Sequence, residues 1–302
     1  MTSTPKALKV RIGIGAGQGA LSAEAVSTLA TDRDDVGFDS LWLSEVLTAQ
    51  TLDPLVGLAW AGAHNPRLKL GTTMLLPGRN PIRLAKELAT LDRLSGGRLL
   101  VTLVPGLGQV PERGAIGVAP GRRSHVIEEV LPLLRRLWAG ESVTHHGDTI
   151  SFEEVSLWPL PAQQPLEIWL GGMARSSLDR CGRLSDGWLP SLCTPSEVSE
   201  GRRVVEDAAH RAGRSISPEH FGVSVAYSKE PLSSQVASAI ASRSRGNDPS
   251  EVVPVGMDRL RQLLERFLEA GFSKFVVRPM TSPVSWRAEL EELAKTIGWL
   301  QT

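Results

Sequence analysis

The strongest constraint on the fold of this chain is a regular alternation of short apolar runs and amphipathic helical segments from end to end. Eight runs are rich in Leu and β-branched residues, and they predict strands at Leu8–Ile14, Ser40–Leu43, Leu68–Leu75, Arg98–Val104, Leu166–Leu170, Gly187–Pro190, Phe221–Tyr227 and Lys274–Arg278. A helical pattern follows each run, which is typical of βαβ units around a parallel sheet. No domain boundary interrupts the pattern. We therefore expect one α/β domain over residues 1–302, a single (β/α)8 TIM barrel with extended βα loops.

Residues that favour helix ends support this pattern. Asn80 is placed to cap a helix whose first residue is Pro81, and Gly96 with Gly97 would end it. Ser285 is placed to cap the last helix in the same way. These signals fall where the alternation predicts helix boundaries.

Three long stretches interrupt the alternation. Pro105–Arg122 and Lys229–Pro254 follow the fourth and seventh predicted strands, so they lie at the end of the barrel where active sites form. We expect them to close over a substrate. Glu141–Pro165 is a polar excursion that is expected to return to the fifth strand through a small hairpin around Gly147.

Composition excludes several classes of protein. Lys plus Arg and Asp plus Glu are equal at 33 each, which argues against a nucleic-acid-binding protein. Cys181 and Cys193 cannot form a disulfide framework and are expected to be buried thiols in a reducing compartment. Neither a signal-peptide pattern nor an apolar run of about 20 residues is present, so we expect a cytoplasmic protein without a membrane segment.

The first βα turn is rich in glycine. Gly15–Ala20 matches the dinucleotide-binding pattern G-x-G-x-x-G/A, and Glu45 ends the second strand near the place of a ribose-binding acid. Ser22, however, is placed to start the helix several residues after these glycines. We therefore favour a loop at the barrel mouth, and NAD(P) binding at Gly15–Ala20 stays an alternative.

The third βα unit carries a resemblance to a known family. Leu70–Pro77, Arg79–Pro81 and Leu84–Arg98 are similar, in order and spacing, to the luciferase-like oxidoreductases. Weaker similarity extends to Val36–Glu45 and reappears at Leu170–Ala174 and in later segments. The resemblance implies a barrel enzyme that uses coenzyme F420 or, alternatively, reduced FMN in a flavin-dependent monooxygenase. Its partners would be a small organic substrate and a second copy of the chain, since barrels of this family often dimerise.

The resemblance also implies where the cofactor binds. A non-prolyl cis peptide at Thr73–Met74 would support the ring, and Gly106 would lie beside it. Two interpretations of Ser44 and Thr72 stay open, contact with the ring or capping of strand ends. The phosphate would lie on the turn that enters the fifth helix, where glycine backbone, helix N-terminal amides and a cation meet. That turn comprises Gly171, Gly172, Met173, Ala174, Arg175 and Ser176.

The chain also departs from the family at the reacting centre. The F420-dependent sugar-phosphate dehydrogenases have an Asp-His pair where this chain has Glu45 and Val46, and a glutamate where it has Leu107. Leu103–Pro105 replaces the usual Gly-Val-Gly of the fourth strand. Alcohol oxidation of that type is therefore not expected. We expect hydride transfer by F420, with Glu45 as a candidate proton relay.

One further cluster is a candidate metal site by composition alone. His145 and His146 lie next to Asp148, but their spacing matches no zinc motif. We interpret them as a solvated turn and expect no metal.

Overall fold

The computed structural model describes residues 8–17, 19, 21–31, 37–106 and 111–302, and a closed parallel barrel forms its centre. The strands are β1 Arg11–Gly15, β2 Ser40–Ser44, β3 Lys69–Leu75, β4 Leu99–Val104, β5 Val143–His146, β6 Ser151–Val155, β7 Ile168–Leu170, β8 Gly187–Trp188, β9 Gly222–Tyr227 and β10 Lys274–Pro279. Eight of them form one sheet in the order β8-β7-β4-β3-β2-β1-β10-β9. Parallel bridges from Trp188 to Phe221 and from Ser191 to Ser224 close it. The predicted (β/α)8 barrel is confirmed.

Helices surround this barrel, and the predicted capping residues begin two of them. The helices are α1 Ala23–Thr31, α2 Pro54–His64, α3 Pro81–Leu94, α4 Glu112–Ala115, α5 Arg123–Trp138, α6 Arg175–Leu184, α7 Pro195–Arg211, α8 Ser234–Arg243, α9 Pro249–Val252, α10 Met257–Glu269 and α11 Trp286–Ile297. The Asn80 side chain accepts hydrogen bonds from the Ile82 and Arg83 amides at the start of α3. Ser285 accepts one from the Ala288 amide at the start of α11. Within the described ranges, no helix has the length and apolar content needed to cross a bilayer.

Inside the barrel, two tryptophan rings lie against glycines of neighbouring strands. A Cβ atom at Gly71 would lie 2.2 Å from the Trp42 ring, and one at Gly187 would lie 2.4 Å from the Trp169 ring. Trp42 packs with Leu189 and Val276 in a cluster separate from the main core between sheet and helices. Both rings therefore lie inside the barrel, where they border a cavity of about 150 Å³.

The excursion between α5 and β7 forms the predicted hairpin. Strands β5 and β6 pair antiparallel, and the Gly147 amide donates to the Ile150 carbonyl at the turn. The Glu129 carboxylate of α5 accepts hydrogen bonds from the Thr149 amide and contacts His145 Nε2 at 3.0 Å. His145 is therefore engaged in fixing the hairpin to α5.

The two cysteines are buried, as the sequence predicted. Both are free thiols. Burial raises the pKa of Cys181 and of Cys193 to about 12, so neither has the thiolate character of a nucleophile.

Candidate active site

A cavity of about 280 Å³ opens at the C-terminal ends of the barrel strands. Each barrel strand, or the residues directly after it, contributes to the lining, which includes Gly15, Ser44, Thr73, Leu75, Val104, Gly171, Leu189, Ser191, Ser224 and Arg278. The loops add Gly106, Glu112 and Arg243. This is the end of a β/α barrel where active sites form. The cavity is therefore the candidate active site.

The structure brings together part of the predicted cofactor site. Ser44, Thr73, Gly106, Gly171 and Gly172 line the cavity. Two residues of β3 face the other way, because neighbouring positions on a strand alternate. Met74 belongs to the core between sheet and helices, and Thr72 is fully buried with no hydrogen-bond partner for its hydroxyl. Neither Thr72 nor Met74 contributes a side chain to the cavity.

The expectation of a cis peptide at Thr73–Met74 is wrong for this structure. Among the described residues the cis bonds are Trp158–Pro159 and Gln164–Pro165, so the bond after Thr73 is trans. The ladder between β3 and β4 continues through Met74 to Leu75, and the Glu45 amide donates to the Thr73 carbonyl at 2.8 Å. This regular pairing keeps the end of β3 extended. A cofactor ring bound at this place would therefore rest against a regular, extended strand end.

Glu45 follows β2 and lies at the edge of the cavity with both carboxylate oxygens engaged. Its Oε2 accepts from the Leu75 amide at 2.8 Å, and its Oε1 pairs with the Arg79 guanidinium at 2.5 Å. The side chain is only 7% exposed. Glu45 thereby joins the ends of β2 and β3 to the start of α3. Val46, at the position of the family histidine, lines the cavity, whereas Leu107 lies outside the described residues.

The predicted phosphate turn has an open backbone. Gly172 has φ +103°, a conformation that favours glycine, and its carbonyl accepts from Trp188 Nε1 at 3.0 Å. Helix α6 then begins at Arg175 with Ala174 as a cap residue that makes no side-chain hydrogen bond. Ala174, Arg175 and Ser176 are exposed beyond the cavity wall. The first amides of α6 and the Arg175 side chain are therefore accessible to an anion at this turn.

The glycines of the first turn pack against the C-terminal end of β10. A Cβ atom at Gly15 would lie 2.9 Å from the Cβ of Arg278, and one at Gly17 would lie 2.5 Å from the Pro279 carbonyl oxygen. Helix α1 begins only at Ala23, so its N-terminus does not start on these glycines. Gln18 and Ala20 lie outside the described residues. Close approach to the end of β10 accounts for Gly15 and Gly17.

Sequence reasoning missed two arginines that meet in the cavity. Arg278 ends the inward-facing row of β10, and Arg243 ends α8 in the long loop after β9. Burial, together with the positive charge of Arg243, lowers the pKa of Arg278 to about 10. A charged residue at the C-terminal end of an otherwise apolar barrel strand was the available signal for Arg278. For Arg243 no comparable signal exists in its Ser-rich loop.

The comparisons with known proteins agree with this geometry. An uncharacterised protein of Mycobacterium tuberculosis is 35% identical over 181 residues, which are 58% of this chain and 62% of that protein. An F420-dependent glucose-6-phosphate dehydrogenase of Kineococcus radiotolerans is 27% identical over 196 residues, which are 61% of this chain and 56% of that protein. An FMNH2-dependent dimethylsulfone monooxygenase of Pseudomonas putida is 29% identical over 189 residues, or 61% and 51% of the two chains. The matches thus span 51 to 62% of the lengths of these relatives.

A solved structure extends the likeness to the whole fold. An F420-dependent secondary alcohol dehydrogenase in complex with an F420-acetone adduct has a TM-score of 0.81 at 20% identity. The likeness covers 98% of this chain and 100% of that one. The family model described as luciferase-like monooxygenase matches residues 7–265. Since that range is most of the 302 residues, the chain belongs to the luciferase-like monooxygenase family.

Proposed function

We propose that this protein is an oxidoreductase that binds coenzyme F420 at the barrel mouth and transfers hydride to or from a small organic substrate. The observation that carries the proposal is the cavity at the strand ends, together with the open turn from Gly171 to Ser176 beside it. The turn and the cavity fit the two parts of such a cofactor. Glycine backbone and free helix amides suit a phosphate, and a largely apolar cavity suits a flat ring.

The chain's own residues would bind and orient the group. Gly171, Gly172, the α6 amides and Arg175 would hold the phosphate, while Leu75 and Val104 would exclude water from the ring. Ser44 and Thr73 place hydroxyls where they can hydrogen-bond its polar edge. When bound, F420 supplies a hydride acceptor or donor. Glu45 is proposed to fix the wall of this site through Arg79 and Leu75 and, as the candidate relay, to exchange a proton at its Oε1.

A second candidate is an FMNH2-dependent monooxygenase. The dimethylsulfone monooxygenase likeness and the description of the matching family favour it. The same turn and cavity would hold FMN. An NAD(P) site at Gly15–Ala20 has less support, because Gly15 and Gly17 pack against the end of β10 and Gly19 packs against Ser282.

A binding titration tests these candidates. Purified protein is titrated with F420, FMN and NADPH, with fluorescence and calorimetry as readouts. We expect F420 to bind, and we expect Gly172→Val to weaken it about tenfold or more because a side chain would fill the turn and meet Ser177. Gly213→Val is the matched control, since Gly213 also has positive φ but has open space around it and does not line the cavity.

The outcomes separate the candidates. Binding of FMN alone would replace the proposal by the monooxygenase. If only NADPH bound, and Gly172→Val left its affinity unchanged, the luciferase-like cofactor site would be excluded.

We also propose that the protein self-associates through α2. This helix contains no Asp, Glu, Lys or Arg, and its outward residues Val56 and Trp60 are 71% and 49% exposed. Surface helices normally carry a polar outer face. We propose that a second copy of the chain packs on this face, because an apolar patch can pair with itself about a two-fold axis. The formal net charge of zero means that two copies do not repel each other through their net charge.

A further inference from the structure

Arg278 presents an uncompensated positive charge to the cavity. Its stem crosses the mouth over Gly15, where a Cβ atom would lie 2.9 Å from the Arg278 Cβ and 3.6 Å from its Cδ. The side chain is half-buried, and within the described part of the chain it makes neither a hydrogen bond nor an ion pair. A glycine on the neighbouring strand thus leaves room for a guanidinium whose charge has no counter-ion.

Arg243 brings a second guanidinium to the same cavity. It makes no direct ion pair within the residues that the structure describes, but the charge of the nearby Glu112 carboxylate partly offsets the lowering of the Arg243 pKa by burial. The carboxylates at the cavity are Glu45, which is paired with Arg79, and Glu112, whose Oε1 accepts from the Leu47 amide. Residues 107–110, next to Gly106 in the sequence, contain no acidic residue. The cavity therefore carries an excess of positive charge.

This arrangement is costly unless an anion completes it. A guanidinium remains ionised under all ordinary conditions, and removing it from water without a partner is unfavourable. Three other arginines near the surface of the core have carboxylate partners: Arg79 pairs with Glu45, Arg135 with Asp186 and Arg180 with Glu128. Arg278 has no such partner among the described residues, and the charge of Arg243 is opposed only by Glu112. Together the two guanidinium groups can bind a carboxylate or a phosphate through paired N–H donors.

The phosphate turn and Arg278 lie at the ends of strands that are well separated around the barrel. Gly171 follows β7, whereas Arg278 ends β10, and the sheet order separates those strands by β4, β3, β2 and β1 on one side and by β8 and β9 on the other. They therefore lie on opposite sides of the mouth. An anion at Arg278 would belong to a different group from one at Arg175.

We infer that the substrate carries an anionic group, carboxylate or phosphate, that Arg278 and Arg243 bind on the side of the mouth opposite the cofactor phosphate. The inference rests on the proposed function, since it names the substrate class of that site. Gly15 acts as a positioning residue, because its missing Cβ lets the Arg278 stem cross the mouth.

The test measures anion binding and cofactor binding separately. Cofactor-saturated protein is titrated by calorimetry with malonate and with inorganic phosphate as probes, for wild type, Arg278→Met, Arg278→Lys and Arg243→Met. We expect Arg278→Met to lower probe affinity about tenfold or more, Arg278→Lys to lower it less, and cofactor affinity to stay within about twofold. The probe that binds more tightly shows whether the site prefers a carboxylate or a phosphate. Arg259→Met, at an exposed position of α10, is the matched control and should bind the probes like wild type.

Two results would overturn the inference. One is equal probe affinity in wild type and Arg278→Met. The other is a loss of cofactor affinity in Arg278→Met without a loss of probe affinity, which would assign the arginines to the cofactor. If no cofactor binds at all, the proposed function fails, and the same titrations on the protein alone still decide whether Arg278 binds an anion. Thermal unfolding of each variant separates these effects from loss of the fold.

Discussion

At the scale of single residues, the two oxygens of the Glu45 carboxylate have different partners. One accepts a hydrogen bond from the Leu75 amide of β3, and the other accepts one from the Arg79 guanidinium. Replacing Glu45 by Gln leaves Arg79 partly buried beside a neutral group, and Arg79 Nε already has no hydrogen-bond partner. We expect Glu45→Gln to lower the free energy of unfolding by about 2 kcal/mol, less than for a fully buried pair because Arg79 is partly exposed. Urea unfolding measures this change.

The chain offers a matched control for this prediction. Glu87 also contacts Arg79, at 3.6 Å, but its side chain is largely in solvent. Glu87→Gln should therefore change the stability by about 0.5 kcal/mol or less. If both variants lost the same free energy of unfolding, the burial of Glu45 would not be what makes its pairing with Arg79 stabilising. A kcat decrease in Glu45→Gln with unchanged cofactor affinity would support the proton-relay role.

For some residues, position in the sequence was enough to predict a place at the cavity, and their cofactor contacts stay a prediction. Ser44, Thr73 and Gly171 reach the cavity because they lie at strand ends. Thr72 was expected beside them, but sequence order does not tell which alternate residues of a barrel strand face inward. Gly71 faces the Trp42 ring and thereby turns Thr72 outward. The role of Arg278 depends on Arg243, which is 35 positions away in the sequence and meets it only in the folded chain.

At the scale of elements, the hairpin β5–β6 depends on a single carboxylate of α5. Burial opposes the ionisation of Glu129, but hydrogen bonds from Thr149, His145 and the Ile150 amide outweigh it and lower the pKa to about 2. A depressed pKa means that Glu129 stabilises the fold above its unfolded value of about 4.5, and that this contribution is lost as pH falls toward 2. The side chain is 8% exposed, so the contribution is of order 2 to 3 kcal/mol.

Urea unfolding at several pH values tests this account. We expect Glu129→Gln to be less stable than wild type at pH 7, with a difference that shrinks as pH falls below about 4.5. Glu153→Gln, an exposed carboxylate on β6, should show almost no difference at any pH. A Glu129→Gln difference that stays constant from pH 7 to pH 3 would contradict the assignment.

Element prediction was accurate because the signals were local. All eight strand ranges and the caps at Asn80 and Ser285 follow from apolar runs and capping chemistry within a few residues. The hairpin around Gly147 follows from a turn signal of the same kind. The Thr73–Met74 bond was expected to be cis only from the family resemblance. In this chain the pairing of β3 with β4 is regular through that bond, and no local sequence signal marks it.

At the scale of the whole molecule, the barrel is closed around two indole rings. Gly71→Ala would place a methyl group against Trp42, which packs with Leu189 and Val276. We expect this substitution to destabilise the protein by about 1 to 3 kcal/mol, as overpacking of a filled core does. Gly121→Ala is the control, since nothing lies within 4 Å of a Cβ at that position. Similar unfolding midpoints for both variants would show that the barrel interior is not tightly filled.

The apolar outer face of α2 makes a prediction about assembly. Val56 and Trp60 lie four residues apart in α2, one helical turn, and both are exposed. If a second copy covers this side, sedimentation velocity should give about twice the 32.6 kDa chain mass for wild type and the chain mass for Trp60→Glu, because a buried unpaired carboxylate opposes association. Trp299→Glu, at an equally exposed tryptophan near the C-terminus, should assemble like wild type. A wild-type protein that sediments as a monomer at micromolar concentration would exclude self-association through α2.

Dissociation by Trp60→Glu with unchanged F420 affinity would show that each barrel carries a complete cofactor site, because every residue assigned to it comes from one chain.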